Sequence, residues 1–199
     1  TITGTVSNKE NKTYYTVSFD PNGTTDNIPV QLVESGNKAT DPSPAPTYTY
    51  YTLDGWYDTK DITGGNKPGD ETITKNMTFY ARWTPVSFET KSSVSFETTY
   101  GASYKHVFTA DDLSNDMGTN SGGLQEIEVA SESSLPNGLS LDGLTISGIP
   151  TSVNESGSPV TFKVTATNGA TQKITITFIV KKAELTVTPE RNQILYANE

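Results

Sequence analysis

The sequence predicts an all-β chain made of two small modules in tandem, and three features carry the prediction. Apolar residues recur at every second position in short runs, the period of a strand whose successive side chains face opposite sides of a sheet. Clusters of Gly, Pro, Asn, Asp and Ser separate these runs and supply turns. Only 33% of the 199 residues are hydrophobic, and that set is rich in Val, Ile, Tyr and Phe, which suit a pleated, half-buried surface better than a helix. A chain of this length accommodates two domains of fewer than about 100 residues each, with modest cores.

In the first half, Tyr15, Val17 and Phe19 share one face of a strand while Thr16 and Ser18 take the other. Asp20-Pro21-Asn22-Gly23 follows as a turn, with Pro fixing φ and Gly accepting a positive φ. Ile28, Val30 and Leu32 predict a second strand, closed by Ser35-Gly36-Asn37. Asp41-Pro42-Ser43-Pro44-Ala45-Pro46 lacks backbone donors at its prolines and reads as an extended connection. Tyr51, Leu53 and Trp56 mark a third strand around Gly55, and Met77, Phe79, Ala81 and Trp83 a fourth.

Three motifs in this half stand out: Phe19-Asp20-Pro21-Asn22-Gly23, then Tyr50-Tyr51-Thr52-Leu53-Asp54-Gly55-Trp56-Tyr57, then Thr78-Phe79-Tyr80-Ala81-Arg82-Trp83. In this order they resemble the Listeria-Bacteroides repeat family of internalin-type surface proteins, over about residues 14–85. The resemblance implies a small β-grasp-like module. Tyr50 stands where that family usually has Gly, and Leu53 where it usually has Phe, so the departures fall on local loop geometry.

Val-Ser-Phe-Glu-Thr occurs twice, at Val86-Ser87-Phe88-Glu89-Thr90 and Val94-Ser95-Phe96-Glu97-Thr98, and reads as a linker entering the next module. Beyond it come Ile127 with Val129, Leu139 with Leu141, and Leu144 with Ile146. Longer alternations follow at Val160, Phe162, Val164 and Ala166, and at Ile174, Ile176, Phe178 and Val180. Short strands with turns between them predict a β-sandwich. The segments Leu135-Pro136-Asn137-Gly138-Leu139-Ser140-Leu141-Asp142, Ile146-Ser147-Gly148-Ile149-Pro150, and Phe162 to Ala166 with Asn168-Gly169 resemble the Ig-like, cadherin-like domain family of bacterial surface proteins, over about residues 96–181. Lys182-Ala183-Glu184-Leu185-Thr186-Val187-Thr188 and Tyr196-Ala197-Asn198 resemble the opening of a further Ig-like module of the MBG type.

The formal net charge of −9 and a pI near 4.6 repel phosphate backbones and anionic lipid, so no nucleic acid partner is expected. No cysteine is present, which removes disulfides, zinc–thiolate sites and thiol nucleophiles together. Lys–Asn isopeptide links are the bonds that could replace disulfides in such a protein. No apolar run reaches the ~18 residues of a membrane span, so no membrane insertion is expected in this segment. A start at Thr1 and a stop at Glu199 inside an apparent strand predict a piece of a longer protein.

The single histidine, His106, alternates with Tyr104 and Phe108 as a strand residue does, and no nucleophile motif accompanies it. No catalytic residue is predicted. Asp111, Asp112, Asn115 and Asp116 gather oxygen atoms within six positions, and Asp142 precedes Gly143. Such residues read first as caps and turns, with a calcium site at Asp111, Asp112 and Asp116 as the alternative, since the spacing is not that of an EF-hand. Calcium is the one cofactor the sequence raises. Tyr48, Tyr50, Tyr51, Trp56, Tyr57, Tyr80 and Trp83 concentrate aromatic surface. The two Trp read as core, while Tyr48, Tyr50 and Tyr57 are candidate ligand contacts.

Together these readings predict a leader or linker strand over 1–13, the repeat-like β module over 14–87, the Ig-like β-sandwich over 88–181 and the truncated start of another module over 182–199. The resemblances imply a non-catalytic, extracellular segment of a bacterial cell-surface protein that acts as a stalk or adhesion module. Its expected partners are neighbouring modules of the same protein and a host or extracellular protein or glycan. The alternative is a glycan-binding accessory module of a secreted or surface enzyme, reading sugar through the tyrosines between Tyr48 and Tyr57.

Overall fold

A computed structural model of the chain describes residues 11–185. The expected leader strand, apart from 11–13, and the expected opening of a third module, apart from 182–185, fall outside the described residues. The chain divides into two units. The first runs to Phe88 and takes in Asp116–Gly123 and Ala166–Ala170; the second holds Glu89–Asn115, Leu124–Thr165 and the chain from Thr171 on.

The first unit contains β1 (Tyr14–Asp20), β2 (Gln31–Glu34), β3 (Tyr51–Tyr57) and β4 (Met77–Pro85), in the sheet order β2-β1-β4-β3. β1 and β4 run parallel at the centre, with Phe19 opposite Phe79, and antiparallel strands flank them. A parallel central pair cannot be closed by a hairpin and needs a long crossover, which the chain makes through β2 and β3. One face of the sheet carries Val17, Phe19, Val33, Trp56, Phe79 and Ala81, all buried. Ala39 and Ile73, from the connecting segments, complete this core. Those segments bond to each other through Gly36 N to Ile73 O and Ile73 N to Asn37 O, at 3.0 and 2.8 Å. Trp56 meets Phe19 edge-on at 5.2 Å, and Phe19 stacks on Phe79 at 5.9 Å.

Two details depart from simple alternation. Of the run Ile28, Val30 and Leu32 expected as the second strand, only Leu32 lies in β2, which buries Val33; Val30, just ahead of it, and Leu32 are 57% and 71% exposed. Register explains this: Val33 lies opposite inward-facing Tyr15, and Leu32 opposite outward-facing Thr16. In β3, Leu53 and Trp56 both pack on the core although an odd number of positions separates them. A β-bulge between Leu53 and Gly55 inserts the extra residue that returns Trp56 to the inner face.

The second unit has one sheet of β5 (Val94–Thr99), β7 (Leu124–Val129), β10 (Asn154–Ala166) and β11 (Thr171–Lys181), ordered β5-β11-β10-β7. A three-stranded sheet orders β6 (Tyr104–Val107), β9 (Thr145–Gly148) and β8 (Leu139–Asp142) as β6-β9-β8. The unit is therefore the β-sandwich that the alternation predicts. Ile127, Leu139, Ile146, Val160, Phe162, Val164, Ile174, Ile176, Phe178 and Val180 are all buried. Phe96, Phe108, Phe162 and Phe178 close a ring of contacts, with successive centroids 5.7, 5.7, 6.3 and 5.9 Å apart. Such separations are favourable for aromatic pairs.

The glycines of two sequence motifs meet here. A Cβ on Gly148 would lie 2.0 Å from the carbonyl oxygen of Gly138, and one on Gly138 would lie 2.0 Å from that of Ile149. The pair lets the backbones approach until Ile149 N donates to Gly138 O at 3.0 Å. Gly148→Ala is therefore expected to cost about 2–3 kcal/mol, read as a lower urea midpoint for amide-exchange protection in β8 and β9; an unchanged midpoint would refute the close approach.

Candidate functional site

The tyrosine-rich segment lies wholly in the first unit. Tyr51 N bonds back to Tyr48 O at 3.0 Å, and this turn stacks the two rings 4.3 Å apart at 14°. Trp83 meets Tyr48 edge-on at 5.6 Å, and a Cβ at Gly23 would sit 3.1 Å from the Tyr48 ring. Tyr57 is covered by Arg82, whose guanidinium carbon lies 3.6 Å from the ring centroid, with the Lys67 ammonium at 5.4 Å. Arg82 also donates to the carbonyls of Asp61 and Gly64 at 2.8 and 2.7 Å, pinning that loop over the sheet. Its Nε is buried without a hydrogen-bond partner, so the Tyr57 face offsets part of the desolvation of the cation.

Tyr50 has a φ of 67°, the left-handed conformation that suits the Gly usual at this motif position. Its ring, 38% exposed, lies against Gly122, where a Cβ would stand 2.9 Å from it. Each of the three candidate tyrosines thus has a ring contact inside its own unit. A cleft of about 240 Å³ takes in Tyr48 but neither Tyr50 nor Tyr57, and is lined also by Asn22, Tyr51, Lys60, Asp61 and Trp83.

The motifs of the repeat also meet at this end of the sheet. Asp20 Oδ1 accepts from Asn22 N at 2.8 Å, Asn22 Nδ2 donates to Ala81 O at 2.9 Å, and Trp83 Nε1 donates to Pro21 O at 2.9 Å. Asn22 and Trp83 thus fasten the first turn to the last strand.

The acidic residues hold the chain's short helical turns. Asp112 closes a capping box at the start of α1 (Ala110–Leu113), accepting from Thr109 N and Oγ1 at 2.7 and 2.8 Å, with His106 Nε2 at 3.2 Å. Burial acts to raise the Asp112 pKa, but the Thr109 hydrogen bonds and the neighbouring His106 outweigh it and hold the carboxyl below its ordinary value. Tyr104 is raised, first by burial and then by the Asp112 charge. Asp111 uses its carbonyl to accept from the Lys91 ammonium. Asp116, in the first unit, precedes α2 (Met117–Ser121) and accepts from Asn120 Nδ2 at 2.9 Å. Among the described residues no group of three or more His, Asp or Glu side chains is arranged to hold a metal ion. His106 packs on Phe96 and Phe108 with centroids at 4.4 and 5.2 Å, as a strand residue of the sandwich.

Sequence reasoning missed the Arg82 clamp and the use made of Asn168. That side chain is 6% exposed, and its Nδ2 donates to Tyr50 O and Val86 O, both at 2.9 Å. Its Oδ1 accepts from Ala170 N at 3.0 Å. The Asn168-Gly169 pair in the sequence motif signals a turn, but no local pattern signals its distant partners.

Among the described residues no helix is long and apolar enough to cross a membrane. The Listeria-Bacteroides repeat domain family matches residues 15–82, and the family described as Putative Ig domain matches residues 78–181. No curated protein matches the chain.

The lowered pKa of Asp112 gives a pH dependence with a definite sign. Its contribution to stability is complete above the ordinary carboxylate value of 3.8 and is lost as pH falls through the lower folded value. Asp112→Asn should cost about 1–2 kcal/mol at neutral pH and flatten the acid limb of stability against pH. An acid limb identical to that of the parent chain would contradict this role.

Proposed function

The chain belongs to the Putative Ig domain family and carries a Listeria-Bacteroides repeat ahead of that domain, and from this premise we propose that it is a stalk and adhesion segment of a bacterial cell-surface protein. Both are non-catalytic module types found typically in surface or extracellular proteins. The observation that carries the reading is the two family modules in tandem along the sequence, with a buried apolar core in each of the two units. Modules of this kind extend reach by repetition, because stability is built unit by unit and the chain passes on to the next. Adhesion then belongs to surfaces that the stalk presents, and the expected partners are neighbouring modules and a host or extracellular protein.

The glycan-binding alternative draws less support. Sugar stacking uses open aromatic faces, whereas Tyr48, Tyr50 and Tyr57 spend ring surface on Tyr51, Gly122 and Arg82. The calcium reading likewise rests on the acidic spacing alone, since Asp112 is committed to its cap.

Antibody raised against this segment is expected to label intact bacteria that express the complete gene, and external protease should remove the label. Label seen only after cell lysis would overturn the surface reading. Beads coated with the segment should adhere to host cells or matrix protein more than bare beads do; equal adhesion would leave the stalk and remove the adhesive role.

A further inference from the structure

The first unit is not completed by its own stretch of sequence. β4 ends at Pro85, and the next carbonyl, that of Val86, has passed beyond the ladder that would satisfy it. Two side chains from far along the chain reach it: Asn168 Nδ2 at 2.9 Å and Ser121 Oγ at 2.7 Å. Ser121 is fully buried, and Asn168 nearly so. Asn168 Nδ2 also reaches Tyr50 O, which accepts from Val86 N at 2.9 Å as well. In return, Tyr51 Oη donates to Asn168 O at 2.8 Å. Asn168 N donates to Ser121 O at 3.1 Å, and Thr167 N to Gly123 O at 2.9 Å, so the two distant loops are also tied to each other.

Steric evidence points the same way. Tyr50 holds a backbone φ of 67°, which costs a non-glycine residue roughly 1–2 kcal/mol. Such strain persists only where surroundings over-determine it. The surroundings are Gly122 and Thr167, whose nearest atoms to a Cβ placed on Gly122 include the Tyr50 ring at 2.9 Å and Thr167 Cβ at 3.3 Å. Only a glycine at 122 leaves room for that ring.

We infer that Asn168, Ser121 and Tyr50 form a folding interlock: the sheet of β1 to β4 reaches full stability only once the loops Asp116–Gly123 and Ala166–Ala170 are in place. Ala166–Ala170 is the turn between β10 and β11, so it is formed when that hairpin forms. The interlock therefore imposes an order in which the second unit's hairpin precedes completion of the first unit. This goes beyond the stalk reading and does not depend on it.

Both tryptophans, Trp56 and Trp83, lie in the first unit, so Trp fluorescence in the full chain reports that unit alone. Asn168→Asp keeps the turn bond from Ala170 N and replaces the donating amide by a carboxylate facing two carbonyls, while Ser121→Ala removes the other donor. Each variant is expected to lower the Trp-reported unfolding temperature by about 5 °C or more, with exchange protection of the Val86 amide reduced and that of β10 and β11 amides retained. An unchanged Trp transition in both variants would overturn the interlock. So would a loss of protection confined to the β10 and β11 amides, which would assign Asn168 to the hairpin alone.

Discussion

With no cysteine in the chain, each unit is held closed by what its inward-facing rings exclude from water. Phe19 touches both Trp56 and Phe79 at the centre of the first unit, and four phenylalanines form a closed set of contacts in the second. Burial of one such ring stabilises by roughly 1.5–3 kcal/mol, so a few rings decide whether a unit this small folds. Sheet register follows from this constraint, since a slip of one residue would turn every ring outward.

Once the rings are placed, the conspicuous polar residues find uses in closing the ends of strands. Asn22, Arg82, Trp83 and Asn168 all donate to backbone carbonyls, and buried acceptors left without such partners would be costly. Asp112 does the corresponding work for donors at Thr109. Asp112, one of the residues the sequence offers to calcium, is in this way spent on the fold.

Much of the architecture was legible because it is periodic or local. Alternation at Val17 and Phe19, at Phe162 and Val164, and at Ile176 and Phe178 names residues that the structure buries, and the motif order names both modules. Most of what escaped is non-local. The bulge that turns Trp56 inward was signalled by Gly55 within the strand but not read from it, and the register of β2 depends on its pairing with β1 rather than on the run Ile28, Val30, Leu32. Phe88 sits in a stretch that reads as linker, yet it is fully buried. The partners of Asn168 lie 82 and 118 positions away, beyond the reach of any window along the chain. Among the candidate site residues, the cap or turn role of Asp112 was the first reading of the acidic cluster, while its partner Thr109 and the ring contacts of Tyr48 and Tyr57 required the fold.

Native-state hydrogen exchange across a denaturant ramp on the unmodified chain tests the account most directly, because it resolves cooperative units residue by residue. The slow amides are expected to fall into two sets, one in β1 and β4 and the other in β10 and β11. The first set should open at no higher denaturant than the second, and the Thr167 and Asn168 amides should exchange with the first. A single set with one opening free energy, or a first unit that outlasts the second, would contradict two separately cored units of which the first is completed by the loops Asp116–Gly123 and Ala166–Ala170.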